Sequence, residues 1–293
     1  MSASAAPPAR RRPSWQRPFA NRGALVGLAL VVLVSLFALL GPLLVGHDPY
    51  TSDFENGISP SKLPVGPGGD FVLGTDRIFR DQLSRLALGG RVSLLIGMGA
   101  TAIATVFGAF VGIIAGWLEG TWIDALLMRI VDVGLAFPFL LVVMAVGAAL
   151  ERTTATTIFL TLGLTGWLGI ARLVRAKTLQ IRTQEFITAA RALGQRTPAI
   201  LVRHVLPNVS GPILVLATVM VAQMILAESV LSYLGAGIAP PTPTWGHRLF
   251  EGQDYLTAAP WLAIAPGIAI LASVLGFNLL GEGLRDALDP RKS

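Results

Sequence analysis

The sequence contains no cysteine, so it can form neither a disulfide framework nor a thiolate metal site. Charge is also scarce, because only 14% of the 293 residues are charged whereas 53% are hydrophobic. Soluble globular domains carry about 25% charged residues, and this composition cannot cover a hydrophobic core with a polar surface. The composition therefore predicts a polytopic membrane protein.

The usual marks of catalysis and metal binding are absent as well. No lysine follows a glycine, so the phosphate-binding pattern G-x4-G-K-[ST] does not occur. The three histidines, His47, His204 and His247, are spread over loops and lack the spacing of metal ligands. We therefore predict that this chain is not an enzyme and that it binds no metal and no cofactor.

The net charge of +6 can indicate nucleic acid binding. The basic residues, however, form blocks beside apolar segments, and an excess of lysine and arginine next to a membrane span marks its cytoplasmic side. Membrane orientation therefore explains the charge, and no nucleic acid partner is predicted.

The first third of the chain divides into a tail, a span and a loop. Residues 1–23 are rich in alanine, proline and arginine and predict a disordered cytoplasmic tail. Residues 24–45 contain no charge and are long enough to cross about 30 Å of hydrocarbon, so they predict the first transmembrane helix. Residues 46–88 are polar and turn-rich, as expected of an external loop that ends in an interfacial helix. We interpret the charged residues of that helix as a solvated face: Asp76, Arg80, Asp81 and Arg85.

Five further apolar segments predict transmembrane helices, which makes the chain an all-α membrane protein with six spans and both ends inside. These segments cover residues 92–117, 123–150, 154–170, 212–234 and 259–281. They form a core over residues 89–281, followed by a cytoplasmic tail over 282–293. Small residues in the first segment predict close helix packing, namely Gly97, Gly99, Gly108, Gly112 and Gly116.

Two connecting regions carry further expectations. Residues 235–258 predict a second external loop, with Trp245 and Tyr255 at the depth of the membrane interface. In the tail over 282–293, the neighbouring charges of Glu282, Arg285 and Asp286 are interpreted as a solvated face.

The segment 171–208 is too polar for hydrocarbon and predicts a cytoplasmic loop, because seven of its residues are basic and only Glu185 is acidic. Its apolar residues predict a short amphipathic helix that Gly194 closes. They are Ile181, Phe186, Ala189, Ala190 and Leu193. A second helix is predicted to begin at Pro198 and to stop at Pro207, since proline cannot continue the hydrogen-bond ladder.

The same loop resembles the EAA loop of ABC importer permeases. The pattern is A-A-x3-G-x11-L-P, formed by Ala189, Ala190, Gly194, Leu206 and Pro207. In that family the loop forms a coupling helix that docks on a separate ATPase subunit. The glutamate of the motif falls at Thr188, and His204 replaces an apolar residue. Glu185, about one helical turn before Thr188, is expected to supply the acidic contact.

Other segments resemble the dipeptide, oligopeptide and nickel branch of that family, and most closely the second of its two permeases. They are GTD-x3-RDQLSRL-x3-GRVSLL from residue 74, LAESVLSYLG from 226 and FNLLGEGLRDALDPR from 277. The resemblance implies a type I ABC importer permease fold in a bacterial inner membrane. It implies as partners a second permease, two ATPase domains that bind ATP and magnesium, and an extracytoplasmic binding protein. Di- or oligopeptides are the cargo that the resemblance favours, whereas nickel, haem and oligosaccharides are carried by relatives and remain alternatives.

A secondary transporter or channel without ATPase partners is the alternative function. Such a protein is expected to carry intramembrane charges in several helices and internal inverted repeats. Neither pattern is clear in the sequence, whereas the basic loop with its A-A-x3-G-x11-L-P spacing favours the importer.

Glu228 is the only acidic residue between positions 211 and 234. It lies roughly 24 Å along a helix that rises from the cytoplasm, in the outer part of the bilayer. A carboxylate there should face the bundle interior, with Ser232 one turn away and Gln223 nearby. Two interpretations remain open: the carboxylate bonds neighbouring helices, or these three residues line the translocation path.

Overall fold

A computed structural model describes residues 22–44, 46–149 and 153–288. The predicted tail over residues 1–23 lies, except for its last two residues, outside this part of the chain. The described residues are mainly helical and form only isolated β-bridges, so the all-α class is confirmed. The helices are α1 (Arg22–Leu44), α2 (Gln82–Trp117), α3 (Trp122–Ala136), α4 (Phe139–Ala149), α5 (Ala155–Arg182), α6 (Glu185–Ala192), α7 (Thr197–Ile200), α8 (Leu206–Tyr233), α9 (Trp245–Gly252) and α10 (Trp261–Leu288).

Five helical segments of the described chain are long and apolar enough to cross a membrane, and a bent pair makes up to six. The bent pair is α3 and α4, whose axes meet at 87°. Phe137 precedes Pro138 and has φ −91° and ψ 137°, the extended conformation that a residue before proline favours. The span predicted over 123–150 therefore consists of two helices, because Pro138 breaks the helix.

Helix α2 includes, from Gln82 onward, the residues that were predicted to form the interfacial helix. It runs unbroken for 36 residues, and the carboxylate of Asp81 caps its start by accepting a hydrogen bond from the Ser84 amide at 2.6 Å. At about 1.5 Å per residue this length exceeds the hydrocarbon thickness, so the first turns extend beyond the membrane. The predicted interfacial helix and the span that follows it are thus one continuous helix.

Glycines let α2 approach α5 closely. A β-carbon on Gly108 or Gly112 would lie 2.7 or 2.6 Å from a main-chain oxygen of α5, and one on Gly116 would lie 2.7 Å from the Thr178 β-carbon. Gly97 meets Ile225 of α8 in the same way, whereas Gly99 has only an ordinary contact with Phe159. The predicted close packing is thus confirmed for four of the five glycines.

Helix α5 continues beyond the predicted span and carries four basic residues of the expected loop, three of which form ion pairs. Arg175 forms a two-fold ion pair with Asp124 of α3, with distances of 2.7 and 2.8 Å. Arg182 lies 3.4 Å from Glu119, in the turn between α2 and α3, and Arg172 pairs with Asp132. These pairs fix the C-terminal part of α5 to α3 and to the preceding turn.

The predicted stop at Pro207 was also wrong, because the helix continues from Thr197 to Tyr233. A π-helical turn over Leu201–Val205 joins α7 to α8, and the Leu206 amide donates to the Leu201 oxygen five residues earlier. This wider turn places Pro207 in the first turn of α8, where a missing amide is tolerated. Helix α10 likewise continues past residue 281, and Glu282 on it is exposed, as predicted.

Candidate functional site

The short cytoplasmic helix predicted from the sequence is α6, and it ends as predicted at Gly194. Gly194 has φ +74°, a left-handed conformation that favours glycine. The Gln195 amide donates to the Ala190 oxygen at 3.1 Å, and the Gly194 amide donates to the Arg191 oxygen at 2.9 Å. These two bonds form the Schellman motif that closes a helix and turns the chain sharply.

Helix α6 has one buried and one exposed face. Ile187 and Ala190 are buried in a hydrophobic cluster with Ile200 and Val205. The other face presents residues of the A-A-x3-G-x11-L-P motif and its flanks, among them Glu185, Thr188, Ala189 and Leu193, and Leu193 is 81% exposed. This exposed side of the helix, the outer face of α6, therefore combines an acidic side chain with exposed apolar side chains. Ile181, which was assigned to this helix, lies on α5 instead.

Arg191 anchors α6 to the end of α2. Its guanidinium carbon lies 4.7 Å from the centroid of the Trp117 ring, within the range of a cation–π contact. A displacement of α6 would thus act on α2 as well as on the helices that bury Ile187.

The structure shows the surroundings of His204, at which the loop departs from the family motif, and of Glu185, which is expected to supply the acidic contact. The Nε2 atom of His204 lies 3.1 Å from the Gln195 Oε1 atom, so this histidine joins the residue after Gly194 to the start of the α8 span. Glu185 forms no ion pair with any described residue, and Leu206 and Pro207 are exposed. The carboxylate of Glu185 is thus available to a partner chain.

On the opposite side of the molecule, the charges interpreted as a solvated face are buried. Asp76 and Arg85 are each 1% exposed, Asp81 2% and Arg80 7%, so the prediction was wrong. The Oδ2 atom of Asp76 lies 2.8 Å from Arg80 Nε and 3.2 Å from Arg85 Nε. Asp76, Arg80 and Arg85 therefore belong to a buried group of charged and titratable side chains, the outer charged cluster. Its other members are His247, Arg248 and Glu251.

Arg248 of α9 forms ion pairs with the acidic side chains of this cluster. Its Nη1 atom lies 3.1 Å from Asp76 Oδ2 and 2.5 Å from Glu251 Oε2, and its Nη2 atom donates to the Gln82 side chain. Arg248 thus ties α9 to the loop before α2 and to the first residue of α2. The sequence carried no signal for this contact, because positions 76 and 248 are 172 residues apart.

Asp76 and His247 of the outer charged cluster, which lie outside the membrane-spanning helices, have shifted pKa values. Burial raises the pKa of Asp76, but the charge of Arg248 and hydrogen bonds from Arg80 outweigh burial, so the pKa lies below its ordinary value. Burial lowers the pKa of His247, and the nearby Arg248 and Arg85 lower it further. Asp76 is therefore charged and His247 neutral at physiological pH.

Glu228 lies in a separate buried polar group between α2, α8 and α9. Its Oε1 atom accepts a hydrogen bond from Ser232 Oγ at 2.7 Å, and its Oε2 atom accepts one from Ser93 Oγ at 2.9 Å. Ser93 Oγ also accepts a hydrogen bond from the Trp245 amide at 3.3 Å. Trp245 is fully buried, so its ring packs inside the protein.

Gln223 faces a different region. It lines a cavity of about 460 Å³ between α4, α5 and α8, whereas Glu228 and Ser232 do not. The structure therefore separates Gln223 from the two residues with which the sequence grouped it. Among the described residues, no group of three or more metal-ligating side chains is present.

One class of protein combines membrane helices with a short helix that is exposed on one face. The family model described as binding-protein-dependent transport system inner membrane component matches residues 108–293. A second model, the N-terminal TM domain of oligopeptide transport permease C, matches residues 11–64. The chain belongs to the family of binding-protein-dependent transport permeases.

Individual relatives narrow the comparison to one subunit type. The chain is 38% identical to the dipeptide transport system permease protein DppC of Alkalihalophilus pseudofirmus, over 94% of this chain and 90% of that one. It is 37% identical to the oligopeptide transport system permease protein OppC of Bacillus subtilis, over 92% of this chain and 86% of the relative. It is thus a permease of the DppC and OppC kind.

The solved structures support the fold. The inward-facing MetNI methionine ABC transporter matches with a TM-score of 0.55 at 20% identity, over 70% of this chain and 96% of that one. The predicted type I ABC importer permease fold is thereby confirmed.

Proposed function

We propose that this chain is the transmembrane permease subunit of an ATP-driven, binding-protein-dependent importer of di- or oligopeptides, and that it forms half of the translocation path. The observation that carries the proposal is the exposed outer face of α6, whose acidic Glu185 lacks an ion-pair partner within the described chain. The peptide cargo rests on the peptide permeases to which the chain is similar. Family membership argues against a transporter or channel that works without ATPase partners.

The partners follow from this function. ATP and magnesium bind to two separate ATPase domains. The outer face of α6 docks on one of them through Glu185, Thr188, Ala189 and Gly194, together with the exposed Leu206 and Pro207 at the start of α8. Ala190 is buried and holds α6 against the hydrophobic cluster instead. A second permease completes the path, and an extracytoplasmic binding protein delivers the cargo. The chain lies in the bacterial inner membrane with both termini in the cytoplasm.

The contacts of α6 suggest how ATPase movement reaches the path. Ile187 transmits force to the hydrophobic cluster, and Arg191 transmits it to α2 through Trp117. The ion pair between Arg175 and Asp124 joins α5 to α3, and α3 leads to the bend beside the cavity. Gln223 is the path residue that this geometry favours, whereas Glu228 and Ser232 are placed to bond helices.

The function is tested with the complex assembled from this chain and its second permease, ATPases and binding protein. In proteoliposomes, we expect tripeptide uptake that needs both ATP and the loaded binding protein. Uptake driven by an ion gradient in the absence of ATP would contradict the proposal.

The orientation is tested by labelling single cysteines, since the chain has none of its own. An impermeant maleimide should label Lys62→Cys in intact cells but should label Arg203→Cys only after the membrane is opened. External labelling at position 203 would reverse the proposed topology.

A further inference from the structure

The cavity between α4, α5 and α8 has an unusual lining for a path that carries peptides. Its volume is about 460 Å³, and none of the described residues that line it is charged. Most are aliphatic, aromatic or methionine side chains, and the only polar side chains among them are Gln223 and Thr165.

Of these two polar groups, only Gln223 is free to bind. The Thr165 hydroxyl donates to the Thr161 main-chain oxygen of its own helix at 2.7 Å. The Gln223 side chain is exposed and forms no hydrogen bond with any described residue. Its amide offers two donors and one acceptor oxygen. A polar group in apolar surroundings is unfavourable unless a hydrogen-bonding partner satisfies it.

The side chains beside Gln223 are adaptable. Met220 and Met224 lie on the same helix, and both line the cavity. Met224 reaches across to Gly166 of α5, where a β-carbon would lie only 2.4 Å from the methionine Cε atom. Methionine is unbranched and fills irregular space, and flexible methionine-rich surfaces bind partners of varied shape.

We infer that this cavity receives the main chain of the translocating peptide and that Gln223 hydrogen-bonds its peptide groups. A side-chain amide matches a peptide group, because each carries both a donor and an acceptor. Since no charged side chain lines the cavity, this subunit does not select cargo by side-chain charge. The inference rests on the proposed function as a peptide importer and adds the chemistry by which the path holds its cargo.

The test compares Gln223→Leu with the wild type in the reconstituted complex, at saturating loaded binding protein. Three tripeptides are used, one neutral, one with lysine and one with glutamate. One lost hydrogen bond corresponds to a roughly 2- to 10-fold fall in maximal uptake rate, and we expect the same factor for all three peptides. Gln223→Glu, in contrast, should make the lysine peptide faster than the glutamate peptide.

Thr218→Val is the matched control. Thr218 lies on α8 beside Gly281 of α10, and its hydroxyl donates to the Leu214 oxygen at 2.8 Å. This substitution also removes a polar group from α8, but away from the cavity, so uptake should be unchanged.

Three results would overturn the inference: normal uptake by Gln223→Leu, a loss confined to one charge class, or loss of the second permease on co-purification. The last result would show that Gln223 lies in the contact between permeases. Failure of the proposed function is separate, since the wild-type complex itself would then take up none of the peptides.

Discussion

The Nη1 atom of Arg248 lies 3.1 Å from the Oδ2 atom of Asp76, and both side chains are 1% exposed. This contact holds α9 against the loop before α2. Arg80 and Arg85 complete the pairing around Asp76, so one carboxylate serves three guanidinium groups.

Removal of the charge on Asp76 should therefore destabilise the protein strongly. Asp76→Asn keeps the oxygen that accepts the Ile78 and Arg80 amides, but it removes the ion-pair partner of the buried Arg85 and leaves Arg80 and Arg248 with Glu251 alone. Breaking a buried ion pair from one side costs about 3–5 kcal/mol of unfolding free energy. The effect is measured as a fall in the melting temperature of the purified complex.

The control for this prediction is Arg77→Gln. Arg77 lies 3.1 Å from Glu251, but its side chain is 50% exposed. Exposed pairs contribute about 0–1 kcal/mol, so little change is expected. Equal melting temperatures for Asp76→Asn and the wild type would show that the cluster does not stabilise the fold.

His247 predicts a dependence of stability on pH. Its pKa is lowered in the folded protein, chiefly by burial, from an unfolded value of about 6.5. The unfolded chain therefore binds the proton first, and this contribution to stability is complete above about pH 6.5 and is lost as pH falls through the folded pKa. Melting temperatures measured between pH 7 and pH 5 should decline less in His247→Phe, which keeps a ring beside Phe250. A parallel decline in both proteins would exclude His247 as the cause.

The turn at Gly194 predicts a loss of coupling. Nothing lies within 4 Å of a β-carbon at this position, so a substitution there acts through the left-handed backbone and the exposed surface rather than through a clash. Gly194→Asp should insert normally but should strongly reduce peptide uptake and peptide-stimulated ATP hydrolysis, because it adds strain and a charge to the docking surface.

Gly194→Asn is the matched variant, since asparagine tolerates the left-handed conformation and adds no charge. It should be milder than Gly194→Asp. Ordinary uptake by a well-expressed Gly194→Asp variant would show that this loop does not transmit ATPase movement.

Glu185 and Thr188 form a test of the altered motif. Both are exposed, and they lie about one turn apart on α6. If Glu185 supplies the acidic contact, Glu185→Gln should lower peptide-stimulated ATPase activity several-fold, and Thr188→Glu alone should be tolerated. Adding Thr188→Glu to Glu185→Gln should restore activity. A gain of coupling from Thr188→Glu in the otherwise native chain would assign the acidic role to position 188 instead.

The fold was predictable where local chemistry decides it. Apolar runs located the membrane helices, and Gly194 marked the end of α6 because only a left-handed residue closes a helix in that way. The bend at Pro138 was missed because the apolar pattern continues through it. The stop expected at Pro207 failed because a π-helical turn accommodates the proline.

The sites depended more on contacts between distant segments. The i, i+4 spacing of Asp76 and Arg80 is typical of a solvated face, and only the approach of α9 shows that it is buried. The sequence does indicate that Gln223 and Glu228 face different directions, because five residues turn an α-helix by about 140° beyond a full turn. Ser232, four residues after Glu228, lies on the same face as expected.

From the position of Glu228 we expect that its charge is not needed for cargo selection. Its hydrogen bonds, in contrast, should be needed for the stability of the protein. The carboxylate accepts hydrogen bonds from Ser93 and Ser232 and does not line the cavity. Glu228→Gln keeps the size and an acceptor oxygen, and serine hydroxyls can both donate and accept, so uptake of neutral and cationic peptides should stay close to normal.

Glu228→Ala, in contrast, removes the carboxylate to which the hydroxyl groups of Ser93 and Ser232 donate, and each unsatisfied buried donor costs about 1–3 kcal/mol. This variant should lower the melting temperature and loosen α9, because Ser93 also holds the Trp245 amide. A selective loss of cationic peptides in Glu228→Gln, with an intact complex, would instead place this carboxylate on the translocation path. Uptake and melting temperature measured on the same two variants therefore decide between the interpretations that the sequence left open.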